Sequence, residues 1–318
     1  MKAILTTFLL GLFSLPLYGA SCCGGGGASG VTIPKFMQGV AAVTIEEERY
    51  DGFWNGQSQV TPDPAGSDLK QQRLSFAGAY RIGPNWQLNG TTAWVENDNV
   101  YSGQSSHTSG IGDSSIGVLY ENFDNITCVN EILEPADWLP ASYFGLNLTL
   151  PTGTSPYDDA SSSFDITGRG FYRLDATALV EKTVYPWSAT LSAAAGWHPA
   201  RMVNREYGQW VNPYKKQLGN RYTMGTSLGY TWFMDNLDQI VMTYSLSHLE
   251  ESASRIDGAL NEGTGMKKRA MGLMGSYGWA DQAWIFKLGL NRSIKQNGMG
   301  TNFPITETLS FGVSHVFH

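Results

Sequence analysis

Histidine and serine are the residues of this sequence that could perform covalent chemistry. His107 lies among Ser105, Ser106 and Ser109, and His248 follows a short alternating stretch further along the chain. Ester hydrolysis by a serine needs a histidine beside it and a third polar group that orients the imidazole. Neither histidine belongs to a recognisable motif of this kind, and serine-rich loops are common. The sequence therefore favours a protein without catalytic residues, with a lipid hydrolase as a lesser alternative.

Two further sets of residues could bind a metal. Asp158 and Asp159 are adjacent carboxylates, which suit Ca²⁺, but such a pair in a serine-rich loop is more often solvated. The three cysteines are Cys22, Cys23 and Cys128, and no histidine lies near them in the sequence. We expect neither a metal nor a cofactor.

The amino terminus has the pattern of a cleaved secretory signal. Lys2 precedes an apolar run over residues 3–17 and the small residues Gly19-Ala20-Ser21, so residues 1–21 are predicted to be removed. Cleavage after Ser21 would leave Cys22 first, where a lipoprotein signal would also cut and acylate the cysteine. Such signals usually carry leucine where this chain has Gly19, so lipidation of Cys22 stays an open alternative. Residues 22–34 are rich in cysteine and glycine and are predicted to form a periplasmic linker.

Export places the cysteines in an oxidising compartment. If Cys22 is acylated, Cys23 and Cys128 remain as a pair, and we predict a Cys23–Cys128 disulfide between the linker and the segment 122–139. The alternative is a vicinal Cys22 and Cys23 pair in a flexible linker, with Cys128 as a free thiol. The sequence does not distinguish the two.

Composition narrows the class of protein. Charged residues make up 15% of the chain, aromatic residues 12%, and the 37 glycines are scattered. After the signal, no stretch offers the ~20 uninterrupted apolar residues of a membrane helix. The formal net charge of −7 argues against a nucleic-acid partner.

The rest of the chain is a series of short stretches in which apolar and polar residues alternate. In the last one, Leu309, Phe311 and Phe317 share one face of a strand, while Ser310 and Gly312 share the other. Twelve such stretches can be counted, and their connections alternate between long and short, with the segment 122–139 as the exception. The pattern predicts an all-β fold, a closed antiparallel transmembrane β-barrel of about 12 strands spanning residues 35–318, of the bacterial outer-membrane type.

The spacing of the aromatic residues agrees with this prediction. Trp187 and Trp197 share a face ten residues apart, as do Tyr222 and Trp232. At ~3.3 Å per residue and a tilt near ~40°, ten residues rise about 25 Å along the barrel axis. That rise matches the apolar band between the two aromatic girdles of an outer-membrane barrel.

The polar faces of the predicted strands indicate what the interior would hold. A mixed set of charges is expected to face inward: Glu46, Arg73, Arg81, Asp113, Glu121, Arg173, Asp175, Glu181, Arg221, Lys267, Arg269, Lys287 and the polar Asn291. Such charges need water or partners. Small inward residues favour water, although a salt-bridged plug is the alternative. We select as selectivity residues Arg73, Asp113, Arg173, Asp175, Arg221 and Lys287, and expect Arg173 and Asp175 near mid-depth.

Two short motifs carry a resemblance to a known family. Gly110-Ile111-Gly112-Asp113 opens the fourth strand and Leu148-Thr149-Leu150-Pro151-Thr152-Gly153 closes the fifth. Together they resemble outer-membrane transporters named for the MetA pathway of phenol degradation, which are related in style to fatty-acid transporters. The resemblance implies a barrel that passes small, aromatic or apolar molecules, with membrane lipid and lipopolysaccharide around it. A structural or adhesive surface barrel with a plugged lumen is the alternative.

Overall fold

The computed structural model describes residues 32–124, 127–160, 162–236, 238–279 and 282–317. Within them, twelve long strands are present: β1 (Gly39–Trp54), β2 (Asp68–Gly83), β3 (Trp86–Tyr101), β4 (Ser114–Glu121), β5 (Ala141–Leu150), β6 (Arg173–Val184), β7 (Trp187–Trp197), β8 (Arg221–Phe233), β9 (Gln239–Glu251), β10 (Met266–Trp279), β11 (Trp284–Ser293) and β12 (Phe303–Phe317). No helix in this described part is long and apolar enough to cross a membrane.

The twelve strands form a closed ring. Each pairs antiparallel with the next in the chain, and β1 pairs with β12 from Gly39 opposite Phe317 to Trp54 opposite Phe303. Closure leaves no sheet edge, so every strand has a hydrogen-bonded neighbour on both sides. The predicted all-β, closed antiparallel barrel of 12 strands is confirmed. We call the end that carries residues 39 and 317 the terminal end, and the opposite end the loop end.

The remaining elements are short, and most lie at the loop end. Gln104–Ile111 pairs with the upper part of β3, Val60–Thr61 with β1, and Gly300–Thr301 with β10. A separate sheet consists of Arg201–Glu206, Gln209–Gln217, Arg255–Ile256 and Ala259–Leu260. The single 3₁₀ helix of the described residues, Pro135–Trp138, lies at the terminal end in the connection between β4 and β5.

Large apolar side chains cover the outside of the barrel. Ile45, Leu191 and Met224 are each about 60% exposed, which would be costly if water surrounded the wall. The paired aromatic residues of β7 and β8 also lie on the outside, and Trp187 and Trp197 are each about half exposed. The wall thus has its apolar face outward and its small or polar face inward, as strand alternation predicted.

A small apolar core lies inside the terminal end. Ile33 is fully buried and packs with Val40, Ala79 and Val316, which are inward residues of β1, β2 and β12. Residues 32–34, which the sequence assigned to a linker, therefore pack inside the terminal end of the barrel. The signal peptide and most of the linker, including Cys22 and Cys23, lie outside the described residues.

Several strands are longer than predicted. β1 continues to Trp54 and β3 to Tyr101, although the polar stretches from Asp51 and Asn97 indicated loops. Beyond the apolar band a strand can be polar on both faces, so alternation no longer marks it. The hydrogen bonds to neighbouring strands continue there.

The predicted orientation of Lys267 and Arg269 was wrong. Both share the outward face of β10 with Met271 and Leu273, while Lys268 between them points inward. Alternation counted back from the exposed Met271 and Leu273 places Lys267 and Arg269 on the outward face, so the inward assignment departed from the period of its own strand.

Candidate functional site in the barrel interior

The two sequence motifs meet at the loop end of the barrel. Oδ1 of Asp113 accepts a hydrogen bond from the backbone N–H of Gly153 (3.2 Å), and Oδ2 accepts one from the N–H of Arg169 (2.8 Å). The Thr152 hydroxyl donates to the carbonyl of Gly112 (2.7 Å). Asp113 therefore holds both ends of the loop formed by residues 151–160 and 162–172, which we call the mouth loop.

Glycines make this junction possible. A Cβ on Gly153 would lie 2.8 Å from the Cα of Gly168, and a Cβ on Gly168 would lie 2.8 Å from the Cα of Gly153. Real Cβ atoms do not approach another backbone so closely, so both positions require glycine. This close contact explains the glycine that ends the second motif.

The mouth loop spans the opening of the barrel. On one side, the side-chain amides of Asn97 and Asn99 in β3 donate to the carbonyls of Ile166 (3.1 Å) and Phe164 (3.0 Å). On the other side, Arg169 forms a two-pronged ion pair with Glu251 of β9, at 2.5 and 2.7 Å. The third and ninth strands of a ring of twelve lie opposite each other. The loop is thus bonded to both walls and crosses the loop end.

A second loop supports the mouth loop from the outside. The Arg201 guanidinium donates to the carbonyl of Gly170 and lies 5.5 Å from the Tyr157 ring and 5.6 Å from the Phe171 ring. Cations over aromatic faces at such distances are attracted by the ring electrons. Arg201 thereby joins the loop after β7 to the mouth loop.

His198 is buried beside the same junction. Its Nδ1 lies 2.9 Å from the carbonyl of Gly219, which can only accept, so Nδ1 carries the proton. Burial lowers the pKa of His198 below its usual value, and the charge of Glu251 partly opposes this shift. The imidazole is therefore neutral at neutral pH and serves to hold the loop backbone.

The terminal end is closed by a different set of contacts. Glu121 is fully buried and accepts hydrogen bonds from Arg81 (2.8 and 2.9 Å), from Lys35 (3.0 Å) and from Gln87. The Gln87 side chain also accepts from the N–H of Ile33 (2.8 Å) and donates to its carbonyl (3.1 Å). Residues 32–37, the terminal plug, are therefore fixed inside the terminal end by a buried charge network and by the apolar contacts of Ile33.

Between the two closures, the wall carries one more charge cluster. Glu48 of β1 pairs with Arg73 of β2 and lies 4.0 Å from the Lys268 ammonium of β10. Arg73 also lies 3.5 Å from Glu46, and Lys268 donates to the Thr306 hydroxyl at 2.6 Å. These charges are matched within the wall, as burial of charge requires.

The six selected residues do not form one ring. Arg173 and Asp175 form an ion pair of 2.8 Å, but Arg173 is the first residue of β6, so the expected mid-depth position was wrong. The pair fills the space that a side chain at Gly196 would occupy. Arg221 begins β8 at the same end.

The other three selected residues are spread over the interior. Asp113 holds the mouth loop, Arg73 belongs to the wall cluster, and Lys287 lies near the terminal end of β11.

Some interior residues were missed by the sequence analysis. Glu48, Glu251 and Lys268 follow the inward parity of their strands, so a stricter use of alternation would have found them. Arg169 and Lys35 lie outside the strands, where no periodic signal exists.

The alternative chemical sites have other partners. His107 lies 3.6 Å from Glu96 and His248 3.4 Å from Glu250, and within the described residues neither imidazole is hydrogen-bonded to a serine. Cys128 is half-buried, and its predicted partner Cys23 lies outside the described residues, so the disulfide stays a prediction.

The acidic pair of the mouth loop is engaged by its neighbours. Asp158 accepts from the N–H and hydroxyl of Ser155 (2.9 and 2.6 Å), and Asp159 pairs with Arg205 (2.5 Å).

Solved structures share the architecture of this chain. It is similar to an outer membrane channel from Pseudomonas putida F1, with a TM-score of 0.67 and 14% identity over 92% of this chain and 99% of that chain. It is also similar to the beta domain of the Bordetella autotransporter BrkA, with a TM-score of 0.50 and 11% identity over 88% of this chain and all of that one. The fold is that of an outer-membrane β-barrel.

No family model and no curated protein sequence matches the chain. The resemblance to the MetA-pathway transporters therefore stays a prediction.

We predict that Glu121→Gln destabilises the folded barrel. The change leaves Arg81 and Lys35 buried without a carboxylate, and breaking a buried pair in this way costs about 3–5 kcal/mol. Urea titration of the folded protein, followed by its mobility on a gel, would measure the loss. Glu47→Gln is the matched control, because its exposed pair with Arg49 should contribute below ~1 kcal/mol. Equal effects of the two changes would contradict the assignment.

Proposed function

We propose that this protein is an outer-membrane channel for small solutes. In the conformation described above, the mouth loop closes one end of the channel and the terminal plug closes the other. The observation that carries the proposal is the lining between the closures. Small inward side chains face one another there across neighbouring strands: Thr91, Ser115, Gly117, Thr177, Ser192, Gly225, Ser245, Gly272, Gly289 and Ser310. Side chains this small leave volume for water in a twelve-stranded barrel.

The means of closure also supports a channel. Small barrels that serve as structural elements fill their interior with side chains from the wall itself. Here the obstruction at each end comes from a separate segment, held by hydrogen bonds and ion pairs that can be exchanged for water. Segments of this kind can leave the lumen without unfolding the wall.

The outer membrane is the location that the outer wall supports. A belt of exposed aromatic residues lies at each edge of the apolar band, including Trp187 and Trp232 at the terminal end and Trp94, Trp197 and Tyr222 at the loop end. Aromatic girdles mark the two interfaces of a bilayer. The structural neighbour from Pseudomonas putida F1 is named an outer membrane channel, which agrees with this location and function.

Solutes would enter at the loop end, past Arg173, Asp175 and Arg221. These side chains offer both signs of charge near the mouth loop. We propose that they set the preference among passing solutes, and that small aromatic or apolar molecules, as the motif resemblance implies, are the cargo.

A structural surface barrel is the second candidate. The observation that favours it is that an ion pair holds a segment across each end, Lys35 with Glu121 and Arg169 with Glu251. Conductance measurements separate the two functions.

We predict that opening requires release of both closures. Two barriers in series each block the path, so Arg169→Gln alone, or replacement of residues 32–37 by glycine and serine alone, should leave conductance in planar bilayers low. The combined variant should show discrete, sustained conductance. Arg49 lies on the outer wall, so Arg49→Gln combined with either single change should leave the conductance low. Silence of the combined variant would favour the structural barrel.

We predict opposite shifts of ion preference from the two members of the entrance pair. In the opened variant, Arg173→Ala removes a positive charge and should favour cations, while Asp175→Ala should favour anions. The reversal potential under a salt gradient measures both. Lys70 lies on the outer wall beside Asp68, so Lys70→Ala should leave the reversal potential unchanged. Shifts in the same direction would refute this role.

We predict that the loop end faces the cell exterior. An epitope tag at Tyr207-Gly208, the turn of the loop-end hairpin, should bind antibody on intact cells. A tag at Asp235-Asn236, in the turn after β8, should bind only after permeabilisation. Antibody binding on intact cells at Asp235-Asn236 but not at Tyr207-Gly208 would show that the terminal end faces the exterior.

A further inference from the structure

Two cations on the outer wall near the loop end differ from their neighbours. The side chain of Lys267 makes no hydrogen bond or ion pair within the described part of the chain, and the Arg269 side chain contacts the sulfur of Met299 at 3.4 Å. Both side chains are half-buried against the wall. We call them the outward pair.

Other cations on the outside of this end are matched by carboxylates of the same chain. Arg49 lies 2.6 Å from Glu47, Lys70 lies 2.5 Å from Asp68, and Arg292 lies 3.4 Å from Glu307. Glu250 stands opposite Lys267 in the β9–β10 register, but its carboxylate lies 3.4 Å from the His248 imidazole. No carboxylate of the described residues forms an ion pair with Lys267 or Arg269, so both cations are open to an anion from outside the chain.

The position of the outward pair identifies the surroundings. Arg269 is followed on the same face by Met271, and its register neighbour His248 by Leu246, both exposed members of the apolar band. Tyr222 of the loop-end aromatic belt stands beside Glu250 in the register of β8 and β9. Lys267 and Arg269 therefore lie at the border of the apolar band, where the headgroups of a surrounding bilayer begin.

We infer that the outward pair binds a phosphate group of lipid A, the membrane anchor of lipopolysaccharide. This inference rests on the proposed outer-membrane location. A guanidinium offers parallel N–H donors that match two phosphate oxygens, and an ammonium adds a compact charge. The acyl chains of the same lipid would lie against Met271 and Leu246. The half-buried position of the pair limits its hydration, which strengthens the attraction to an anion.

Binding of lipid A to the purified barrel in neutral detergent tests the site. Native mass spectrometry would compare the wild type with Lys267→Gln/Arg269→Gln, using bisphosphorylated lipid A as the probe. Each Lys or Arg at an anionic surface changes affinity about fivefold, so the double variant should bind about thirtyfold more weakly. Lipid A without its two phosphates should bind the wild type and the double variant with equal affinity.

The matched control is Arg49→Gln/Arg292→Gln. It removes the same number of charges at the same end and leaves Glu47 and Glu307 uncompensated, so general repulsion is at least as strong. Its affinity for lipid A should stay within a few-fold of the wild type. An equal loss in both double variants would overturn the site in favour of non-specific attraction.

Three other results would also overturn the inference. They are absence of lipid A binding by the wild type, equal binding of the stripped lipid, and full displacement by inorganic phosphate at concentrations comparable to the lipid. Conductance of the opened channel, measured on the same preparations, keeps the two proposals apart. A conducting barrel that does not retain lipid A loses this site alone, while a barrel that binds lipid A but stays silent loses the channel function alone.

Discussion

The backbone hydrogen bonds between β1 and β12 are the constraint on which the rest of the structure depends. They join the first and last strands from one end to the other, apart from a bulge between Tyr50 and Phe53, so each strand of the ring has a hydrogen-bonded neighbour on both sides. With the backbone satisfied, the side chains on the two faces are free to match different environments. Apolar side chains can lie outward, and the interior can hold charges and small residues.

The barrel has apolar side chains outside and polar side chains inside, and this arrangement determines which contacts can stabilise the fold. A soluble domain is stabilised by a continuous apolar core, whereas in the described part of this barrel a small apolar cluster lies around Ile33 at one end. Polar contacts lie elsewhere in the interior, such as Glu121 with Arg81 and Arg169 with Glu251. Because Glu121 and Glu251 each have a cationic partner, these contacts fix the two closing segments to the wall.

The sequence was sufficient for the wall and insufficient for what closes it. Alternation specified strands such as β7, because one-residue shifts would place Trp187 and Leu191 on the wrong face. Alternation counted from Met271 would also have placed Lys267 and Arg269 outward, and it gave no signal only where strands continue past the apolar band. The contact of Arg169 with Glu251 joins a loop to a strand far away in sequence, and no periodicity encodes such a pair. The motif residues Asp113 and Gly153 were noticed, but their joint role became visible only when the fold brought them together.

The attachment of the mouth loop to β3 and β9 has a mechanical consequence. These strands share no backbone hydrogen bond, yet Asn97 on one and Glu251 on the other hold the same loop across the diameter of the ring. A tie across a diameter resists flattening of a circular cross-section into an oval. Lateral pressure from the bilayer therefore acts on the same contacts that close the mouth, and the roundness of the barrel and the state of its entrance are linked.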